Sequence, residues 1–389
     1  MTTIYLIRHA EAEGNLYRRI HGQYDSLVTT NGYRQIRALE QRFSGIKIDA
    51  VYSSDLFRTM TTARAIYVPR GLPLHTRPDL REMSMGEWED RSWAGMSLRE
   101  PERMAAFSAT DPAFRAPGGE SFPEVRERGP KAILDIAAKH PDQTVAVFAH
   151  GTFLRNVMAE FMGVGMDEMH KMGHSDNTAV NRLEVENGTV TVVSMNDNSH
   201  LNDEISTLAH QKWWKKGGKQ ESDINLWSRP ASWPEDKTLY VEARREAWQS
   251  IHGDLPFEPQ GFLRDAERCL AQSPWGVTIA MKGRRHVAGI LQLEGERWAD
   301  EGAGYIPFCY VAPEYRNQRL GIQLIGKAVS CFRPLGRDKL RLRCAPDNAG
   351  GQHFYLGHGF VKIGEESGSA VPLDILEKYI GYEYRGELD

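Results

Sequence analysis

The sequence predicts two α/β regions separated by an irregular stretch, and three observations carry that prediction. From Thr2 to about Leu201, short apolar runs such as "IYLI", "AVYSS" and "TVAVFAH" alternate with helical patterns, which predicts βαβ units on a mainly parallel sheet. From about Asn202 the pattern breaks into "HQKWWKKGGKQESDINLWSRPASWP", with glycines, prolines and mixed charge but no period. After Lys237 strands resume. The expected domains are therefore 1–201 and 237–389, with a linker over 202–236.

In the first region the helical stretches follow Asn31, Asp55, Ser121 and Gly151. A hairpin is expected at its end, because "NRLEV" and "TVTVVSM" flank Glu186, Asn187 and Gly188, and Asn-Gly suits a tight strand reversal. The linker holds Trp213, Trp214, Trp227 and Trp233, too many aromatics for a disordered tether, so it is expected to pack on one or both domains. In the second region "TLYVEA", "GVTIAMKGRRHVAGILQLE", "YIPFCYVA" and "KLRLRCA" read as strands, with "KGRRH" a hairpin turn and Leu324 to Cys331 a helix.

Composition narrows the function. The chain has 389 residues, 41% hydrophobic and 26% charged, enough for about two or three domains. A formal net charge of -4 gives no electrostatic case for nucleic acid or a membrane surface as partner. No stretch approaches about 18 uninterrupted apolar residues, and the N-terminus lacks a secretory pattern, so neither a membrane span nor secretion is expected. Cys269, Cys309, Cys331 and Cys344 form no zinc-type spacing, and His286, His353 and His358 lack ligand-like company; no metal is expected, and a reducing cytoplasm fits.

Chemistry concentrates at strand ends, where open α/β sheets bind ligands. "YLIRHAEAEGN" ends its strand on Arg8 and His9, a guanidinium that can clamp phosphoryl oxygens beside an imidazole that can attack phosphorus. "VYSSDLFRTMTTA" puts Arg58 in the first turn or so of a helix, "VAVFAHGTFLR" ends a strand on His150, and "LREMSMGEWED" supplies the carboxyl of Glu82. Each residue taken singly is more often structural. Together, "LIRHAEAEGN", "SSDLFRT", "LREMSMGEWED" and "FAHGTFLR" resemble the histidine phosphatase (phosphoglycerate-mutase-like) superfamily over about residues 1–201. The resemblance implies a three-layer α/β/α domain in which His9 becomes a phosphohistidine. It further implies a phosphate clamp of Arg8, Arg58 and His150, proton donation by Glu82, a phosphate contact from Asn15, and no metal. "PGGES" at 117–121 looks like the small phosphatases of the family, so hydrolysis of a small phosphorylated metabolite is expected, with mutase-type phosphotransfer as an alternative.

The stretch "YVAPEYRNQRLGIQLIGKAV" reads as strand, turn, glycine-containing loop and helix, an arrangement that aims backbone N–H groups at a pyrophosphate. Residues from about Thr238 to Ile380 resemble the GNAT acyltransferase family, a mixed α/β fold. Arg316 and Gly321 match the outer positions of its CoA loop, while Arg319 stands where that loop has its first glycine. The resemblance implies acetyl-CoA as co-substrate, Asn348 near it, Tyr355 as the acid for the leaving thiolate, and a small-molecule or peptide amine as acceptor. The resulting expectation is a bifunctional enzyme; the alternative is a phosphatase with a non-catalytic acyl-CoA-binding or protein-binding module.

Overall fold

The computed structural model describes residues 1–211, 225–368 and 371–383, which fall into two compact units, one up to 211 and the other from 225. The first runs β1 (Thr2–Arg8), α1 (Glu13–Tyr17), α2 (Thr30–Phe43), β2 (Ala50–Ser53), α3 (Phe57–Arg70) and β3 (Leu74–Thr76). There follow α4 (Trp93–Arg99), α5 (Pro101–Ser108), α6 (Phe122–Lys139), β4 (Thr144–Ala149), α7 (Gly151–Phe161), β5 (Val180–Glu186), β6 (Thr189–Asp197) and α8 (Thr207–His210).

Its sheet has the order β3-β2-β4-β1-β5-β6; β1 to β4 are mutually parallel, and the hairpin β5-β6 adds an antiparallel edge. Asn187 and Gly188 both take positive φ, 50° and 79°, the backbone a two-residue reversal requires. Successive β1 side chains go to opposite faces. Ile4 and Leu6 join Phe122, Ile133, Phe153 and Val157 of α6 and α7, while Ile7 joins Ile36, Leu39, Phe43 and Ile66 of α2 and α3. Both faces are thus covered, giving the three-layer α/β/α architecture and explaining why the central strands are almost wholly apolar. Helix starts are specified locally. Thr29 accepts the Gly32 N–H ahead of α2, and Ser121 with Glu124 forms a capping box at α6.

The second unit runs β7 (Leu226–Pro230), α9 (Lys237–His252), α10 (Pro259–Gln272), β8 (Val277–Lys282), β9 (His286–Glu294), β10 (Ala303–Val311), α11 (Gly321–Phe332), β11 (Lys339–Cys344), α12 (Ala349–Gly357), β12 (Val361–Glu366) and β13 (Leu373–Tyr379). Its sheet, ordered β12-β13-β11-β10-β9-β8-β7, is antiparallel except at β10-β11. That parallel pairing stops at Ile306↔Leu342, leaving the last five residues of β10 without a β11 partner. Tyr240 and Ala243 of α9 and Leu263 and Ala266 of α10 pack on Val277, Ile279, Ile290 and Phe308.

Two expectations change. "TLYVEA" lies inside α9 and not in a strand. Its Thr, Tyr and Val favour strands in a short window, but the buried Tyr240 and Ala243 are three apart, and helical period over the longer segment wins. The stretch read as a linker keeps its expected packing, and only its extent changes, because parts of it belong to the units. Gln35 Nε2 donates to the Ile205 carbonyl at 2.7 Å, and Ser206 Oγ donates to Asp176 at 2.5 Å, tying 205–206 to the first unit. Residues 226–230 form an edge strand of the second sheet, with Trp227 and Trp233 against its core. Trp213 and Trp214 lie outside the described residues. Among the described residues no helix is long and apolar enough to cross a membrane.

Candidate active site

Register builds the site. β1 and β4 pair through Arg8↔Ala149, and β2 and β4 through Ser53↔Phe148, so the carboxyl ends of three strands stop together. The next residues continue the ladder: His9 N–H donates to the Ala149 carbonyl and Ser54 N–H to that of Phe148, each at 3.0 Å. His9, Ser54 and His150 therefore share one edge. The His9 backbone is pinned from outside, its carbonyl accepting Asn177 Nδ2 at 2.9 Å. Ala10 N–H donates to Thr62 Oγ1 at 2.9 Å.

The His9 ring lies 2.7 Å from the Ala10 carbonyl through Nδ1. A carbonyl only accepts, so Nδ1 carries the proton and Nε2 the lone pair. At His150, Ser54 Oγ accepts from Leu56 N–H at 3.3 Å and lies 2.9 Å from His150 Nε2, to which its hydroxyl can donate. When the hydroxyl gives that proton, His150 Nδ1 is the ring's donor, a buried nitrogen with no hydrogen-bond partner among the described residues. The two rings stand 5.3 Å apart, centroid to centroid. Burial, then the Arg58 charge, holds both imidazoles well below the usual histidine range, so both are neutral.

Arg8 gives Nη1 to the Ser175 carbonyl, and its buried Nε has no hydrogen-bond partner among the described residues. Gly151 lets the guanidinium approach, since a β-carbon there would stand 3.3 Å from Arg8 Nε. Arg58, 2% exposed, donates to the carbonyls of Tyr24 at 3.0 Å and Gly22 at 2.6 Å. Gly22 has φ +49°, and a β-carbon would fall 2.7 Å from Glu89 Oε1, so only glycine suits this bend. Glu82 holds the start of α7: its Oε2 accepts Thr152 N–H at 3.0 Å and its Oε1 Phe153 N–H at 2.8 Å. Both oxygens act as acceptors toward a helix N-terminus, the arrangement of a carboxylate. Asn15 is engaged within the protein through its side-chain oxygen. Its Oδ1 accepts Ala12 N–H at 3.1 Å and Asn177 Nδ2 at 3.4 Å, bracing α1 and the loop behind His9.

Sequence reasoning passed over several neighbours. Ser54 stands in the quoted "SSDLFRT", and its signal was the strand end it shares with His9. Arg155 follows Gly151 by four residues on α7, hence on the face that meets Arg8, and bonds the ring of His174. Burial lowers Arg155 to about 10, and His174 is lowered to about 3 by burial and Arg155. Glu89 accepts Gln23 N–H at 2.8 Å and Met85 N–H at 3.0 Å, holding the loop that bonds Arg58; burial raises its carboxyl. His174 and Asn177 lie in loops with no period or motif to mark them, and Glu89 stands inside the quoted "LREMSMGEWED".

Residues 4–198 match the histidine phosphatase superfamily (branch 1). The chain belongs to that superfamily.

Its histidine phosphatase domain is 32% identical over 207 residues to an Arabidopsis thaliana protein named metal-independent phosphoserine phosphatase, spanning 52% of this chain and 84% of that one. It is 30% identical over 208 residues to the "Probable phosphoglycerate mutase GpmB" of Proteus mirabilis, spanning 52% and 96%. The solved structure of Bacillus stearothermophilus YhfR is similar at 30% identity and TM-score 0.50, covering 51% of this chain and 99% of that one. Residues 234–360 match the acetyltransferase (GNAT) family.

In the GNAT-like unit Arg316, Arg319 and Gly321 fall between β10 and the start of α11, and Asn348 and Tyr355 at the start of and within α12. Leu320 places no side-chain cap on α11, so the first-turn N–H groups suit a pyrophosphate. Arg319 has φ +57°, a conformation in which glycine is the usual occupant. A β-carbon on Gly321 would meet the Phe354 ring at 3.1 Å, which puts the start of α11 against α12. Arg316 is engaged elsewhere, with Nη2 2.6 Å from Glu246 Oε2 and Nε 2.9 Å from the Val311 carbonyl. Asn348 caps α12, accepting Gly351 N–H at 3.0 Å. Burial, with Cys309 and Cys344 beside it, raises the Tyr355 phenol well above its usual value, so it is protonated.

Proposed function

We propose that the first unit hydrolyses small phosphomonoesters through a phosphohistidine on His9, without a metal. The observation that carries this reading is the Nδ1–Ala10 hydrogen bond, which makes Nε2 the nucleophilic nitrogen of a neutral ring set among Arg8, Arg58 and His150. Nε2 attacks phosphorus, forming an N–P bond as the ester P–O bond breaks. Arg8, Arg58 and His150 Nδ1–H hold the phosphoryl oxygens, and two guanidinium ions supply the charge neutralisation. Glu82 protonates the leaving oxygen. The proton arrives with the substrate, a phosphomonoester monoanion, and reaches the leaving oxygen through Glu82. Water then cleaves the N–P bond, releasing inorganic phosphate and restoring His9.

The name of the Arabidopsis relative supports an amino-acid phosphate as the substrate class, and the name of the Proteus relative supports a second reading, phosphotransfer between hydroxyls. Phosphate release from a panel of monoesters in EDTA, comparing the intact protein with His9→Ala, tests the choice. Release that survives chelator and disappears in the variant supports hydrolysis, and isomerised ester without free phosphate supports the mutase reading.

We further propose that the second unit moves an acetyl group from acetyl-CoA to a small-molecule or peptide amine. Residues 316–321 would hold the pyrophosphate, Asn348 would lie near the cofactor and Tyr355 would protonate the departing thiolate. Acetyl-CoA supplies the activated acyl group. The Glu246–Arg316 pair favours a competing reading, a silent acyl-CoA-binding module. Acetyl-CoA binding without thiol release across an amine panel would select it. A cytoplasmic setting belongs to the same proposal, since all four cysteines are free thiols.

A further inference from the structure

The second unit contains a guanidinium that neither domain's proposed chemistry uses. Arg244, on α9, is half-buried and lies over three aromatic rings, 3.8 Å from the centroid of Phe308, 4.8 Å from Phe262 and 5.4 Å from Tyr240. Its hydrogen-bond partners are all neutral. Nε donates to Tyr240 Oη at 2.9 Å, Nη2 to Gln292 Oε1 at 2.7 Å, and Nη1 to the Pro307 carbonyl at a long 3.5 Å. Among the described residues no carboxylate stands within ion-pair distance of it. Asp265, whose charge it feels from farther away, sits 3.2 Å from Arg268, and Glu246, two residues along α9, is taken by Arg316.

A partly buried cation without a counter-ion is costly, and the protein leaves Arg244 two unused N–H donors in a planar fork suited to a carboxylate. Location adds to this. Pro307 falls inside the register shift between Tyr305 and Phe308, where β10 has left β11 and its far half is open on that side. The guanidinium therefore sits at the mouth of the strand divergence that the acyl-transfer reading assigns to chemistry. Burial lowers Arg244, with Tyr240 the largest offsetting group.

We propose that Arg244 binds the carboxylate of the acceptor, so that the amine acetylated by the second unit belongs to a molecule of the amino-acid class, its side chain lying against the rings of Tyr240, Phe262 and Phe308. This rests on the acyl-transfer reading for the word acceptor. The carboxylate site itself does not depend on turnover.

The test is calorimetric binding to the full chain, in saturating CoA, of glycine, L-serine and L-phenylalanine, each paired with its carboxamide. At least one acid should bind tenfold or more tighter than its amide. Arg244→Gln should erase that preference and Arg244→Lys should keep part of it. Gln292→Glu is the second variant: it places an internal carboxylate where Arg244 Nη2 already bonds, keeps the acceptor for Tyr240, and should abolish binding of the acids even if Arg244→Gln fails to fold. Equal affinity for acid and amide, no binding by any of the six, or a preference that survives Gln292→Glu would overturn the proposal. Acid binding without release of CoA from acetyl-CoA would leave the site standing and defeat the acyl-transfer reading alone.

Discussion

His9 and His150 lie 5.3 Å apart, centroid to centroid, across the ends of two paired parallel strands, and burial with Arg58 keeps both neutral. Neutrality at rest gives one ring a lone pair and the other a donor, which is the division of labour a phosphoryl transfer needs. It also makes acid a threat to the fold as well as to the chemistry.

The pH dependence follows in sign. A histidine whose folded value is depressed contributes stability above its unfolded value of about 6.5, and that stability is lost as pH falls toward the folded value. His9 and His150 should each add a slope of up to about 1.4 kcal/mol per pH unit below about 6.5. Chemical denaturation of the first unit between pH 7 and 5 should show stability falling with pH, and His150→Gln should flatten the slope. The acid limb of kcat/KM should lie below 6.5. A limb at 6.5 with no loss of stability would contradict the assignment.

Ser54 is the hydrogen-bond partner of His150 Nε2 and holds the ring's orientation. Ser54→Ala should lower kcat/KM about tenfold, the scale of one net hydrogen bond, while His150→Ala, which removes the donor itself, should cost about 10²–10³. Matching thermal unfolding profiles for wild type and Ser54→Ala would show that the loss is one of orientation.

Gly22 combines a positive φ with a crowded α-carbon and carries the carbonyl that holds Arg58. Gly22→Ala should destabilise the first unit by about 1–3 kcal/mol and raise KM for any phosphoester. Thermal unfolding and initial rates check both effects.

Much of this was legible beforehand because the signals were local. Arg8, His9 and His150 end apolar runs, and Arg58 opens a helix, so strand-end chemistry located them. The motif position of Asn15 does not reveal its link to Asn177, which reaches it from 162 residues away. The "TLYVEA" segment misled because strand-favouring residues occupied one helical turn. Arg155 was legible in principle, as the last residue of "FAHGTFLR" four after Gly151, but His174, and Arg244 in its aromatic surround, depend on long-range packing that no period or motif encodes.

Arg316 is held back from a pyrophosphate while both its terminal nitrogens engage Glu246, at 3.1 and 2.6 Å. Glu246→Gln removes the competing charge and should tighten CoA binding severalfold in a calorimetric titration. Unchanged or weaker binding would take Arg316 out of the cofactor loop.

The most direct measurement is rapid-quench trapping of the phosphoenzyme with a ³²P-labelled monoester selected from the phosphate-release panel. Acid-labile, base-stable label recovered on the peptide containing His9, and absent from His9→Ala, is the predicted result. Phosphate release that proceeds with no label on His9, or that is unchanged in the variant, would contradict it.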